Sequence, residues 1–109
     1  MKWLIVFSGL VLSSCTQEAP QTVTTLVNGY GCGSCHVIPS IPGATGRTGP
    51  PLQDYQRQVY VAGVLPNTHE TLTRFIMDPQ TVDPRSAMPD LGVTSDEASL
   101  LASYLRAEP

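Results

Sequence analysis

Residues 31–40 read GCGSCHVIPS. Cys32 and Cys35 lie three positions apart, His36 follows at once, and no Asp, Glu, Lys or Arg stands among them. Three chemistries use cysteines at this spacing. A structural zinc site needs four ligands, usually supplied as two spaced pairs. The only further cysteines or histidines are Cys15 and His69, and neither is paired. A thioredoxin-like redox couple belongs beside a βαβ unit, and no such pattern surrounds this one. The third chemistry uses all three residues. In C-x-x-C-H, two thiols add across the two vinyl groups of one porphyrin edge to form thioethers, and the histidine is set under the iron. The stretch points to covalent haem, with Cys32 and Cys35 as its anchors and His36 as proximal ligand.

The flanking sequence agrees. Residues 37–52 hold Pro39, Pro42, Pro50 and Pro51 together with Gly43, Gly46 and Gly49, and read as loop throughout. Residues 81–91, with Pro84 and Pro89, read the same way. A chain of 109 residues has room for one domain. Its apolar core alone would be marginal. Long ordered loops in so small a domain need an internal scaffold, and a large buried prosthetic group supplies one.

Between the loops the period is helical. Val23, Leu26, Val27 and Tyr30 share one face, with Gly29 and Gly31 expected to end that helix just before Cys32. Residues 53–62 are expected as a short helix closed by Gly63. Thr68 is a candidate N-cap for a helix whose face is Leu72, Phe75 and Ile76 and which stops at Pro79. Thr94 and Glu97 form a T-x-x-E capping box before Ala98, Leu101, Ala102 and Leu105. No period-two strand stands out. The class is all-α, with about four short helices and long loops.

The first residues read as an export signal. Lys2 precedes an apolar run of ten, residues 3–12, and Ser13 and Ser14 lead to Cys15. Ten residues are too few for a helix to cross a bilayer core of about 30 Å. LSSC, residues 12–15, resembles the lipobox of bacterial lipoproteins, in which the cysteine becomes lipidated residue one. Three cysteines in an exported chain leave one unpaired, and lipid on Cys15 accounts for it. The expected organisation is a signal at 1–14, a lipidated tether at 15–22 and a haem domain at 23–109. Cleavage would remove Lys2 and no acid, taking the formal charge from −3 to −4. No basic patch remains to hold nucleic acid.

A sixth iron ligand has two candidates once Met1 is lost. Met77 follows Phe75 and Ile76 at a helix end, where packing is the ordinary role. Met88 stands in SAMPDLG, an irregular loop about fifty residues beyond His36, and is the better choice. His69, at the start of an amphipathic helix, reads as a solvated histidine.

With GCGSCH, GPPL (49–52), LPNT (65–68) and AMPDLGVT (87–94) before a capped last helix, the chain resembles the class I c-type cytochromes from Val23 to Arg106. It is similar to short monohaem members and to the cytochrome modules fused to subunit II of haem–copper oxidases. The resemblance implies Cys32 and Cys35 as thioether residues, His36 and Met88 as axial ligands, and Leu52 as a wall of the haem site. It implies that the Pro50 carbonyl accepts the His36 imidazole proton. It also implies a crossing of the first and last helices, packing Val23, Leu26 and Val27 against Leu101, Tyr104 and Leu105. Asn28, four before the first cysteine, departs from the aromatic residue common there, and Tyr30 is placed to replace it.

The implied protein is no enzyme and has no small-molecule substrate. It is an exported, membrane-anchored carrier of single electrons, facing the periplasm or the outer side of the cell membrane. Its partners would be redox proteins such as a terminal oxidase, a reductase or a dehydrogenase. The alternatives are a cytochrome subunit held tightly in a dehydrogenase or oxidase, and a haem sensor or peroxidase with a displaceable Met88. Between Glu18 and Arg47 only His36, the cysteines and Tyr30 can ionise. An uncharged docking patch is therefore expected around Gly33, Ser34, Val37, Ile38 and Pro39.

Overall fold

Ala98 and Ala102 are fully buried. They lie on the last of four α-helices described in the structure, a computed structural model that describes residues 9–11 and 18–107. Cys15 and most of the expected export signal lie outside that range. The helices are α1 (Gln21–Tyr30), α2 (His69–Met77), α3 (Pro79–Val82) and α4 (Ser95–Ala107), and the small domain they form is mostly helical. No helix among the described residues is long and apolar enough to cross a membrane.

α4 is the hub. α2 packs on it most extensively, and α1 also touches it. Small side chains at 98 and 102 let the neighbours approach closely, while Leu101 and Leu105 fill the space beside them. Val23 and Val27 enter the same core from α1, and Leu72 and Ile76 enter it from α2. Each such side chain contributes about 1.5–3 kcal/mol on burial, so packing rather than hydrogen bonding decides how the helices associate. Tyr104 packs against this core and donates to the Pro39 carbonyl at 2.9 Å.

The caps follow the sequence. Thr94 N–H donates to Glu97 Oε1 at 3.1 Å, and Glu97 N–H donates back to Thr94 Oγ1 at 3.3 Å. Thr68 caps α2 through the Thr71 N–H, with Thr68 N–H donating to Thr71 Oγ1 in return. Gly31, at φ 71°, closes α1 and offers its N–H to Asn28 and Val27 carbonyls.

Four expectations change. α1 begins at Gln21, two residues inside the stretch expected as tether. Residues 53–62 do not form a helix. Asp54 sits in the left-handed region at φ 53°, only Tyr55–Arg57 makes a 3₁₀ turn, and Gln58 is extended. The chain then forms a short antiparallel ladder, β1 (Tyr60–Val61) with β2 (Leu65–Pro66), turned by Ala62 and Gly63 at positive φ. Pro79 does not only stop α2. It opens the one-turn α3, with Asp78 as cap, and that turn takes the first residues of the expected loop. Lastly, Ile38 is 4% exposed and belongs to the core, because its N–H pairs with the Ala44 carbonyl and turns the side chain inward. It cannot form part of an exposed docking patch.

Candidate functional site

Cys32 opens a 3₁₀ turn, Cys32–Ser34, entered through the left-handed Gly31. The Cys32 carbonyl accepts from Cys35 N–H at 3.2 Å and from His36 N–H at 3.0 Å. One carbonyl thus fixes the backbone of both the second cysteine and the histidine. Both thiols are free and half-buried. Burial pushes the Cys32 thiol up from its ordinary value, a backbone hydrogen bond opposes this, and the neighbouring Cys35 adds to the rise. A dithiol oxidoreductase needs the opposite shift at its attacking cysteine.

The loop after the motif folds back over it. Gly46 N–H donates to Gly33 O at 2.9 Å, and Gly49 N–H donates to Cys35 O at 2.7 Å. The contact is so close that a Cβ on Gly46 would collide with the Ser34 carbonyl, and one on Gly33 would lie 2.8 Å from Ala44 Cα. At Gly49 the close neighbour is the His36 ring itself. A Cβ there would stand 2.5 Å from Cε1 and 2.8 Å from Nδ1.

The next residue completes the cradle. His36 Nδ1 lies 2.7 Å from the Pro50 carbonyl oxygen. A carbonyl only accepts, so Nδ1 carries the proton and Nε2 keeps its lone pair. This is how a metal-ligating imidazole is oriented and its tautomer set. Leu52, two residues on, is partly buried against the core, and its N–H donates to Val37 O at 2.9 Å.

The two methionines differ in surroundings. Met77 packs against the core cluster at the end of α2. Met88 is half-buried in the loop between α3 and α4, outside that cluster, with its N–H donating to Ser86 Oγ at 3.2 Å. Met77 is thus committed to core packing in a way that Met88 is not. His69 is not simply solvated. Its Nε2 lies 3.0 Å from the Ser99 carbonyl and 3.1 Å from Ser103 Oγ, so it ties α2 to α4.

The residues present suit a haem attached through C-x-x-C-H: two free thiols on one turn, an imidazole with its tautomer set, and a glycine-lined wall. Among the described residues no three His, Cys, Asp or Glu side chains are grouped so as to hold a metal ion by themselves. Sequence reasoning misses the cradle glycines. Their one signal, a glycine at every third position from 43 to 49, is hidden in a proline-rich stretch that reads as loop in any case. No protein-family model, curated protein or solved structure matches the chain.

Proposed function

We propose that the chain is a lipid-anchored monohaem c-type cytochrome with the class I fold, carrying single electrons between redox proteins. The observation that carries the proposal is the His36 cradle: Nδ1 at 2.7 Å from the Pro50 carbonyl, the ring against Gly49, and two free thiols on the turn before it. The likeness of GCGSCH, GPPL and AMPDLGVT to class I cytochromes supports the same reading.

The haem would supply a one-electron ferric–ferrous couple. Cys32 and Cys35 would hold it covalently through thioethers, each S–H adding across a vinyl double bond with nothing released. His36 would offer its Nε2 lone pair to the iron, and the Pro50 carbonyl keeps the ring from turning and raises its donor strength. Met88 would offer a thioether to the same iron, which would favour the reduced state and raise the potential. An iron held by these two side chains would need no substrate and little rearrangement for electron transfer. Residues 18–46 carry no charged side chain after Glu18, so a partner meets the attachment turn without long-range steering.

The experiment is a visible spectrum of the protein purified from an exporting host able to attach c-type haem. Reduction should give a sharp α band unchanged by carbon monoxide, and the pigment should resist acid–acetone extraction. The double variant Cys32→Ala/Cys35→Ala should make it extractable, each single variant should leave one thioether and shift the α band, and His36→Ala should prevent a stable holoprotein. A protein that purifies colourless from such a host, or carries zinc, would sink the proposal.

A further inference from the structure

Gln80, the second residue of α3, reaches the loop that carries Met88 from a separate element. Its side-chain nitrogen lies 3.2 Å from the Ser86 carbonyl oxygen and within hydrogen-bond distance of the Met88 carbonyl oxygen. Both partners only accept, so the nitrogen end of the amide faces the loop and the oxygen end faces away. One planar group thus holds two carbonyls on either side of Ala87.

Among the described residues the loop's other hydrogen bonds are internal to it, apart from Asp83 N–H, which donates to Pro79 O at 2.9 Å where the chain leaves α3. Met88 N–H donates to Ser86 Oγ, Ser86 N–H donates to Asp83 O, and Arg85 N–H donates to Asp83 Oδ1. These bonds shape the turn and anchor its first residue, whereas Gln80 reaches the carbonyls of Ser86 and Met88 themselves. Its helix begins at Pro79, one of the most completely buried side chains, and is capped by Asp78 through Thr81. The path runs from the core through Pro79 to Gln80 and then to the backbone of Met88. Arg85 offers no substitute, since its side chain is 91% exposed and turned to Asp83.

We propose that Gln80 is the positioning residue of the distal methionine, holding the Met88 backbone so that its thioether stays available to the iron. This rests on the reading of Met88 as distal ligand. Gln80 touches neither thioether nor metal in this role; it acts through the peptide groups around Ala87. Loss of two net hydrogen bonds should raise the population with the methionine released by on the order of tenfold.

The test uses the purified holoprotein and three variants, Gln80→Ala, Gln80→Glu and Met88→Ala. The readouts are the far-red methionine–iron absorption band, carbon monoxide binding to the reduced protein, and the thermal melt of the fold. Gln80→Ala should weaken the band, make it fade at lower temperature than the native band, and increase carbon monoxide binding by about tenfold. The melt should move less than the band does, which a merely structural residue would not produce. Gln80→Glu should lose the band at neutral pH, because a carboxylate cannot donate and repels both carbonyls. Protonation restores one O–H donor, so the band should recover as pH falls between about 7 and 4, a titration absent from the native protein. Should Gln80→Ala not accumulate, this titration decides alone. A Met88→Ala protein that keeps the band removes the ligand reading itself. A Met88→Ala protein that loses the band, beside Gln80 variants that keep it or show no pH response, overturns the role of Gln80.

Discussion

The Tyr30 hydroxyl donates to Glu97 Oε1 across 2.7 Å, joining the residue two before the first cysteine to the opening turn of α4. Glu97 serves two elements at once, since the same oxygen also accepts from Thr94 Oγ1 and Thr94 N–H. These bonds, Tyr30 first and then Thr94, hold the Glu97 carboxyl below its ordinary value of 4.5. The bond to Glu97, followed by burial and the charge of Glu97, lifts Tyr30 above 10.0.

The pair contributes to stability between an acid and an alkaline limit. Glu97 binds its proton less tightly in the folded state, so its contribution is complete above about 4.5 and is lost as pH falls through the depressed value. Tyr30 binds its proton more tightly, so its contribution is present below about 10.0 and is lost as pH rises through the raised value. Thermal melts across pH should show Tyr30→Phe with a lower plateau and a shallower loss on both limbs. Curves that superimpose on the native protein would remove the pair from the account of stability.

Met77 and Met88 should separate cleanly. Met77→Ala takes a partly buried side chain from the core edge and should cost about 1–2 kcal/mol in a denaturant melt, with the methionine–iron band intact. Met88→Ala should lose that band, bind carbon monoxide and lower the potential. Loss of the band in Met77→Ala instead would reassign the ligand.

Gly49→Ala should act by contact and Gly43→Ala by backbone strain. A methyl at 49 meets the His36 ring, whereas Gly43 has open space around it but a φ of 82°. Gly43→Ala should therefore lower stability by about 1 kcal/mol and leave the haem spectrum unchanged. Gly49→Ala should turn the imidazole away from Pro50, which a lower potential and a poorer holoprotein yield would report. Equal spectra for the two variants would contradict the cradle.

The three longer helices are legible in the sequence because local signals agree with packing. The Thr94–Glu97 box, the Thr68 cap and the apolar faces of α1, α2 and α4 each state in sequence what burial then enforces. Residues 53–62 mislead because the expected helix overlooks a local strand mark, the β-branched and aromatic run Val59-Tyr60-Val61, part of which forms β1. A distant residue adds to this: the Asn67 side-chain nitrogen donates to Tyr55 O at 3.1 Å and to Gln58 O at 2.9 Å, holding those carbonyls out of a helix. Pro79 has two meanings, helix stop and first helical residue, and only the Asp78 cap makes the second apply. Cys32, Cys35 and His36 announce themselves by spacing. Gly49 and Gln80 do not, because each matters through a residue it meets only after folding.

Cys15 should carry lipid, and the early start of α1 shortens the tether between that lipid and the domain. With helix beginning at Gln21, residues 15–20 span at most about 20 Å. A diacyl anchor, at about 0.8 kcal/mol per buried CH₂, would hold the domain firmly at that distance. Mass spectrometry of the mature protein should find acyl chains on an N-terminal cysteine, and Cys15→Ser should move the holoprotein to the soluble fraction. An unmodified N-terminus on a freely soluble holoprotein would remove the anchor.

The attachment turn is local in a way that the rest of the site is not. Both thiols and the imidazole belong to residues 32–36, and one carbonyl of that same turn holds their backbone. Pro50 joins fourteen residues later, Met88 fifty-two residues later, and α4 after that. On the proposed function, a chain emerging from an export channel would present its complete covalent handle when only a third of its length has appeared, before the helix that closes the core exists. Time order would then be built into sequence order: the bond would be made on a chain without tertiary structure, and the core would condense around a group already in hand.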